Sequence, residues 1–263
     1  MALDMGVFCK STLDGEVVDH CFSALLGLGH NADPSYLDWL MKAWGWTLAV
    51  AGLGLTIALA VGVVIGTLRT LPDTGKINRF FVGLSTAWVE LFRNIPVLVQ
   101  VFLWYHVIPA FVLPLKALPS YWLVSIALGF FTSARIAEQV RAGIQSLPRG
   151  QRDAATALGL TTIQTYRYII LPMALRIILP PLTSESMNVV KNSSVAFAVS
   201  VPELTLFAMQ AQEETSHGVE IYLAVTALYA LSAFSVNRVM AIIERRSQIP
   251  GFITAASDVS LAH

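Results

Sequence analysis

Residues 44–68 read WGWTLAVAGLGLTIALAVGVVIGTL and hold no ionisable side chain. At about 1.5 Å of rise per residue, a helix of this length crosses a hydrocarbon core of roughly 30 Å with some tilt. A buried helix in a water-soluble core is seldom so long and so pure, so this stretch makes lipid the solvent of the chain. Composition agrees. Of 263 residues, 55% are hydrophobic and 13% are charged, whereas soluble domains carry about a quarter charged residues.

Four further apolar runs follow. The run 80–111 is interrupted by Pro96 and Pro109, and 121–140 carries Arg135 and Glu138. The run 168–190 carries Arg176 and Glu185, and 219–243 completes the set. Proline is tolerated in a span where neighbours satisfy the freed carbonyls, so the second run is either one broken helix or a helix followed by a half-buried loop. The expected fold is all-α, a polytopic membrane protein with about five transmembrane helices. Gly62 and Gly66 form a small-xxx-small pair that predicts close packing of the first span. Pro180 and Pro181 predict a bend in the fourth.

Charge orients the spans. Arg69, Lys76 and Arg79 follow the first run, Arg141, Arg149, Arg152 and Arg167 surround the polar stretch after the third, and Arg238, Arg245 and Arg246 close the fifth. The opposite side holds Lys10, Lys42, Lys116 and Lys191. The excess places the polar stretch and the C-terminus in the cytoplasm and, with five spans, the N-terminus outside. The expected organisation is an extracytoplasmic segment 1–43, a membrane domain 44–245 and a cytoplasmic tail 246–263.

The N-terminal segment does not read as a secretory signal peptide, because Asp4 stands where a basic region belongs and the apolar run 22–28 is short and late. Cys9 and Cys21 share the oxidising side, yet two cysteines in such a segment are weak evidence for a bridge. A plain solvated surface segment is the expectation. His20 and His30 lie nearby, and no spacing matches a metal site.

Between the third and fourth runs lies DAATALGLTTIQTYRYIILP, residues 153–172. Ala154, Ala155 and Ala157 favour helix and present a low-relief face. Asp153 suits a helix start, Gly159 permits the turn that ends one helix and begins another, and Leu171-Pro172 leads into the next span. A rigid two-helix hook on the membrane surface is what a bilayer protein needs to grip a soluble partner; a passive interfacial helix is the alternative.

Three runs around the hook carry a family resemblance. They are Glu90-Leu91-Phe92-Arg93-Asn94-Ile95-Pro96 with Gln100 a turn later, Gln145-Ser146-Leu147-Pro148-Arg149-Gly150-Gln151 leading into Asp153, and Val190-Lys191-Asn192-Ser193-Ser194. Together they resemble the polar amino-acid permease family of ABC importers, and within it the glutamate/aspartate permease subunits, over residues 36–251. One departure is Asp153, where the family usually has Glu. The first 35 residues have no counterpart in the pattern.

The resemblance implies a permease subunit that moves glutamate and aspartate across the bacterial inner membrane. It further implies ABC ATPase subunits docked on the loop 149–167, through Asp153, Ala154, Ala155, Gly159, Leu171 and Pro172. A second permease subunit, similar or identical, and an extracytoplasmic amino-acid binding protein complete the implied assembly. ATP binding would draw the docking helices together and turn the cavity from inward-facing to outward-facing. Neither a cofactor nor nucleic acid is expected.

Ionisable groups at membrane depth line a pathway or pair with one another. Arg135, Glu138 and Arg141 recur every three residues, so pairing along the helix is expected, with Glu138 holding Arg135 in place. A guanidinium fork binds a carboxylate through two hydrogen bonds, which makes Arg135 a candidate for an acidic substrate's second carboxylate. Glu185 and Asn188 are candidates for its ammonium and Lys191 for its carboxylate; helix packing or gating by these side chains reads equally well.

No phosphate-binding loop is present, since Thr70 stands where the first glycine before Gly75-Lys76 belongs and Ile77 follows in place of Ser or Thr. Nor is there a His-Glu-x-x-His pair or a Gly-x-Ser-x-Gly elbow. The chain is expected to be a transport subunit and not an enzyme. The rivals are the same machine with glutamine or histidine as cargo, a non-transporting membrane scaffold, and an intramembrane enzyme.

Overall fold

The computed structural model describes residues 3–18, 21, 34–72, 75–148 and 150–247. His20, His30, Arg149 and the tail beyond residue 247 lie outside them. Helix α1 spans Tyr36–Leu68. Ser35 opens it: its hydroxyl accepts from the Asp38 amide at 3.2 Å while Asp38 Oδ2 accepts from the Ser35 amide at 3.1 Å, a reciprocal cap that satisfies two end donors.

Helix α2 spans Lys76–Asn94 and α3 spans Val97–Phe102, continuing through a π-helical turn Leu103–Val107 into α4, Ile108–Phe111. The two halves meet at 107°. Pro96 sits at this corner, and Gln100 repairs it: the buried amide donates from Nε2 to the carbonyls of Phe92 at 2.8 Å and Ile95 at 2.9 Å. The second run is thus a broken helix whose freed carbonyls are taken by a side chain.

Helix α5 covers Ser120–Gln145 and runs parallel to α1, with Gly54 facing Leu128, Gly62 facing Ile136 and Gly66 facing Val140. A Cβ on Gly62 would stand 2.7 Å from Ile136, and one on Gly66 would stand 2.6 Å from the Ala137 carbonyl. The glycine pair therefore lets the two backbones touch. Because α1 and α5 point the same way, the chain between them must cross back once, which makes the bent pair a single span. Among the described residues, four helices are long and apolar enough to cross a membrane, and the bent pair is the fifth.

After α5 come α6, Gly150–Ala157, and α7, Thr162–Thr165, then a π-helical turn Tyr166–Ile170 into α8, Leu171–Asn192. Helix α8 continues through Pro180 and Pro181 without a break. Helix α9, Leu204–Thr215, and α10, Gly218–Ser247, finish the described fold. The sequence reading had no α9. Its cap is Glu203, fully buried, which accepts from the amides of Thr205 and Leu206 and from the Tyr229 hydroxyl at 2.6 Å. Burial pushes this carboxyl above its ordinary range, against those hydrogen bonds.

The N-terminal segment corrects the expectation of a plain solvated stretch. Cys9 and Cys21 form a disulfide, and isolated antiparallel bridges join Lys10 to Val17 and Ser11 to Ser35. Val7 and Phe8 are buried against Leu40, Phe207, Ala211 and Ile221, and the Asp4 amide donates to Glu220 Oε1 at 3.0 Å. The segment orders because two apolar side chains find a ready cluster between α1, α9 and α10. Acidic composition alone gave no sign of that.

Candidate permeation cavity and docking hook

Helix α5 supplies most of one cavity. Phe131, Arg135, Glu138, Gln139, Arg141 and Ala142 line it, together with Arg93 from α2 and Glu185 from α8, around about 540 Å³. Arg93 reaches it because α2 packs on α5, where Trp88 Nε1 donates to Ser133 Oγ and Phe92 stacks edge-on against Phe130.

The charges pair differently from the expectation. Arg135 Nη2 donates to Glu185 Oε1 at 3.0 Å, and Gln139 Nε2 shares that oxygen at 3.2 Å. Glu138 does not hold Arg135. Its carboxylate accepts from Arg69 Nη1 at 2.6 Å and Arg141 Nε at 2.9 Å, with Arg93 Nη1 at 3.8 Å. Helical spacing pointed to Arg135 and Glu138, but α8 brings a buried carboxylate closer. The pairing of Glu138 with Arg141, three residues apart, is as the spacing predicts.

Three guanidinium groups face two carboxylates on the cavity wall, leaving an excess of positive charge. Arg93 is 58% exposed and Arg135 41% exposed, whereas Glu185 is 7% exposed. Glu185 Oε2 and Gln139 Oε1 are buried with no hydrogen-bond partner among the described residues. Cations are thus open to the cavity, and two acceptors are unengaged. Asn188 and Lys191 lie further along α8 and are not among the lining residues. Gln139 and Arg69 were missed by sequence reasoning; Gln139 stands four residues after Arg135 and so on the same helical face.

The hook is as the sequence predicts in shape. Gly159 takes φ +76°, the left-handed conformation that ends α6, and Thr161 caps α7 reciprocally with Gln164. Asp153 lies in the first turn of α6 and is exposed, as is Ala154, while Ala155 is fully buried. Leu158 and Ile163, each 79% exposed, stand out from it. Leu171 and Pro172 open α8, Leu171 packing against the cluster that holds Tyr166. Asp153 also lines a polar cleft of about 720 Å³ with Arg152, Gln145 and Pro148. Of the remaining motif residues, Glu90 is exposed and accepts from Asn94 Nδ2 at 3.2 Å.

Membrane spans that line a charged cavity, with a two-helix hook between the third and fourth, define a helical membrane transport subunit. Residues 58–249 match the model of the binding-protein-dependent transport system inner membrane component, and the chain belongs to this family, in its amino-acid ABC permease branch. It is 43% identical over 227 residues to the glutamate/aspartate import permease protein GltJ of Escherichia coli strain K12, covering 82% of this chain and 90% of that one. It is 33% identical to the probable glutamine ABC transporter permease protein GlnM of Bacillus subtilis, over 78% of this chain and 92% of that one.

Among solved structures, the chain resembles a crystal structure of an amino acid ABC transporter with histidines, at a TM-score of 0.68 and 27% identity, covering 86% of this chain and 98% of that one. An inward-facing MetNI methionine ABC transporter shares the fold at a TM-score of 0.69 and 21% identity, over 80% of this chain and 97% of that one.

Proposed function

We propose that this permease subunit carries glutamate and aspartate into the cytoplasm. The observation that carries the reading is the cavity, in which Arg93, Arg135 and Arg141 outnumber Glu138 and Glu185. An acidic amino acid brings two carboxylates and one ammonium. Arg135 supplies a fork for a carboxylate, the exposed Arg93 a second cation, and Glu185 Oε2 an acceptor for the ammonium. The volume lies in the ordinary range for small-molecule sites. The 43% identity to a glutamate/aspartate import permease supports the same cargo.

In this reading the hook lies in the cytoplasm with the C-terminus, and separate ATPase subunits grip it along Asp153, Ala154, Gly159 and the exposed Leu158 and Ile163. Two features support the orientation: the cationic excess near the hook, and the Cys9–Cys21 bridge, since disulfides persist in oxidising compartments. A second permease subunit completes the pathway, and an extracytoplasmic binding protein delivers the cargo. ATP binding draws the two hooks together, and the cavity changes the side to which it opens. Such coupling requires each ligand to favour one state over the other. A second reading keeps the machine and changes the cargo to another polar amino acid, favoured by the likeness to GlnM.

The test is uptake of labelled glutamate by proteoliposomes holding the whole complex, with and without ATP, and with unlabelled aspartate, glutamine or histidine as competitor. ATP-dependent uptake blocked by aspartate alone is the expected result. Block by glutamine or histidine moves the cargo to the second reading, and uptake indifferent to ATP overturns the transport mechanism.

A further inference from the structure

Hydrogen bonds and one peptide link connect the hook to the cavity. Arg152 on α6 donates from Nη2 to the Tyr166 hydroxyl at 3.2 Å, and its guanidinium lies 5.5 Å from the centre of the Tyr166 ring. That hydroxyl in turn donates to the Thr70 carbonyl just past the end of α1. The next residue back is Arg69, whose side chain is 11% exposed and holds Glu138 at 2.6 Å on the cavity wall. Tyr166 is 5% exposed, its ring packed in a cluster with Ile144, Ala174 and Ile178. It thus faces inward from the hook.

We infer that Tyr166 is a positioning residue that passes displacement of the hook to the cavity carboxylate Glu138 through the Thr70 carbonyl and Arg69. The inference rests on the reading of the hook as the ATPase-docking element. Its physical content is in how each joint is made. Tyr166 begins the π-helical turn that precedes α8; the α-helical ladder is interrupted there, and the Arg152–Tyr166–Thr70 bonds bridge the hook directly to α1. Upstream, α1 packs backbone-close against α5 at Gly62 and Gly66, which leaves the end of α1 beyond that contact as the part a pull on Thr70 moves. A shift of the hook therefore moves the end of α1 and the anchor of Glu138 together. Arg141 and Arg93 share that carboxylate, so a change at Arg69 redistributes positive charge where the substrate sits.

Tyr166→Phe keeps the ring and removes the hydroxyl. In the reconstituted complex the readout is the ratio of ATPase activity with loaded binding protein to activity without it, alongside the complex's melting temperature. Loss of the hydroxyl's bonds to Arg152 and Thr70 is expected to lower this ratio by about threefold to tenfold, with basal ATPase near wild type and a modestly lower melting temperature from the unpaired Thr70 carbonyl. Ile178→Val, which trims the same apolar cluster and leaves the hydroxyl alone, should keep the wild-type ratio. A Tyr166→Phe complex coupled as well as wild type overturns the relay while leaving transport standing; a wild-type complex without stimulation overturns the docking reading itself. Should Tyr166→Phe not assemble, hydrogen exchange in the wild-type complex decides. Trapping with a non-hydrolysable nucleotide should change exchange at residues 65–72, and unchanged exchange there overturns the relay.

Discussion

Arg135 on α5 meets Glu185 on α8 at 3.0 Å across fifty residues of chain, using one carboxylate oxygen while the other has no partner among the described residues. The pair thus serves two ends. It ties α5 to α8, and it leaves both a partly exposed cation and a spare acceptor at the cavity. A buried ion pair that only locked helices would gain from engaging both oxygens.

Arg135→Gln should therefore act on cargo choice before stability. Loss of a charge-assisted fork costs about 1.5–3 kcal/mol, which corresponds to about a tenfold to hundredfold weaker preference for glutamate over glutamine in competitive uptake. The assembled complex should still purify with its ATPase subunits. Unchanged selectivity would remove Arg135 from the substrate path.

Gln100→Leu removes the side chain that takes the Phe92 and Ile95 carbonyls at the Pro96 corner. Each buried acceptor left without a partner costs about 1–3 kcal/mol. The expected outcome is a lower melting temperature in detergent, with Arg93, one residue beyond Phe92, shifted in the cavity. A variant as stable as wild type would show that water or lipid headgroups reach these carbonyls.

Gly66→Ala tests the contact between α1 and α5. Its Cβ would lie 2.6 Å from a backbone carbonyl that cannot rotate away, so the helices must part, at about 1–3 kcal/mol. Gly52→Ala on the same helix meets nothing within 4 Å and should be neutral or slightly stabilising. Equal melting temperatures for the two variants would contradict the packing.

Glu203 predicts a pH effect. Its carboxyl is raised above 4.5 in the fold by burial, so the folded state holds the proton more tightly than the unfolded chain. That contribution is complete below the ordinary carboxylate value and is lost as pH rises through the raised one. Thermal stability of the wild type should fall over that interval, and Glu203→Gln should flatten the curve. A parallel fall in both proteins assigns the effect to another group.

Much of this architecture is legible in the sequence, because lipid leaves few options: a pure apolar run from Trp44 to Leu68 has to be a spanning helix. The hook is legible for the opposite reason, as polar residues with a glycine break have no place in the bilayer. Pairing between charges is only half legible. Glu138 and Arg141 lie within one turn, so spacing finds them, but Arg135 with Glu185, and Arg69 with Glu138, depend on which helices become neighbours. Helix α9 escaped because its cap is a buried glutamate whose partner, Tyr229, is contributed by α10. The ordered N-terminal cap depends on Val7 and Phe8 joining a buried cluster with Leu40, Phe207 and Ile221, residues far away in sequence that no local pattern announces.

The staple between Cys9 and Cys21 has a further consequence. Thiols oxidise on one side of a bacterial inner membrane and stay reduced on the other. A chain inserted in the proposed direction closes its bridge, while one inserted upside down keeps two thiols open to alkylation. Each molecule thus carries a chemical record of how it entered the bilayer, written within its first two dozen residues and readable on a gel without any fusion tag.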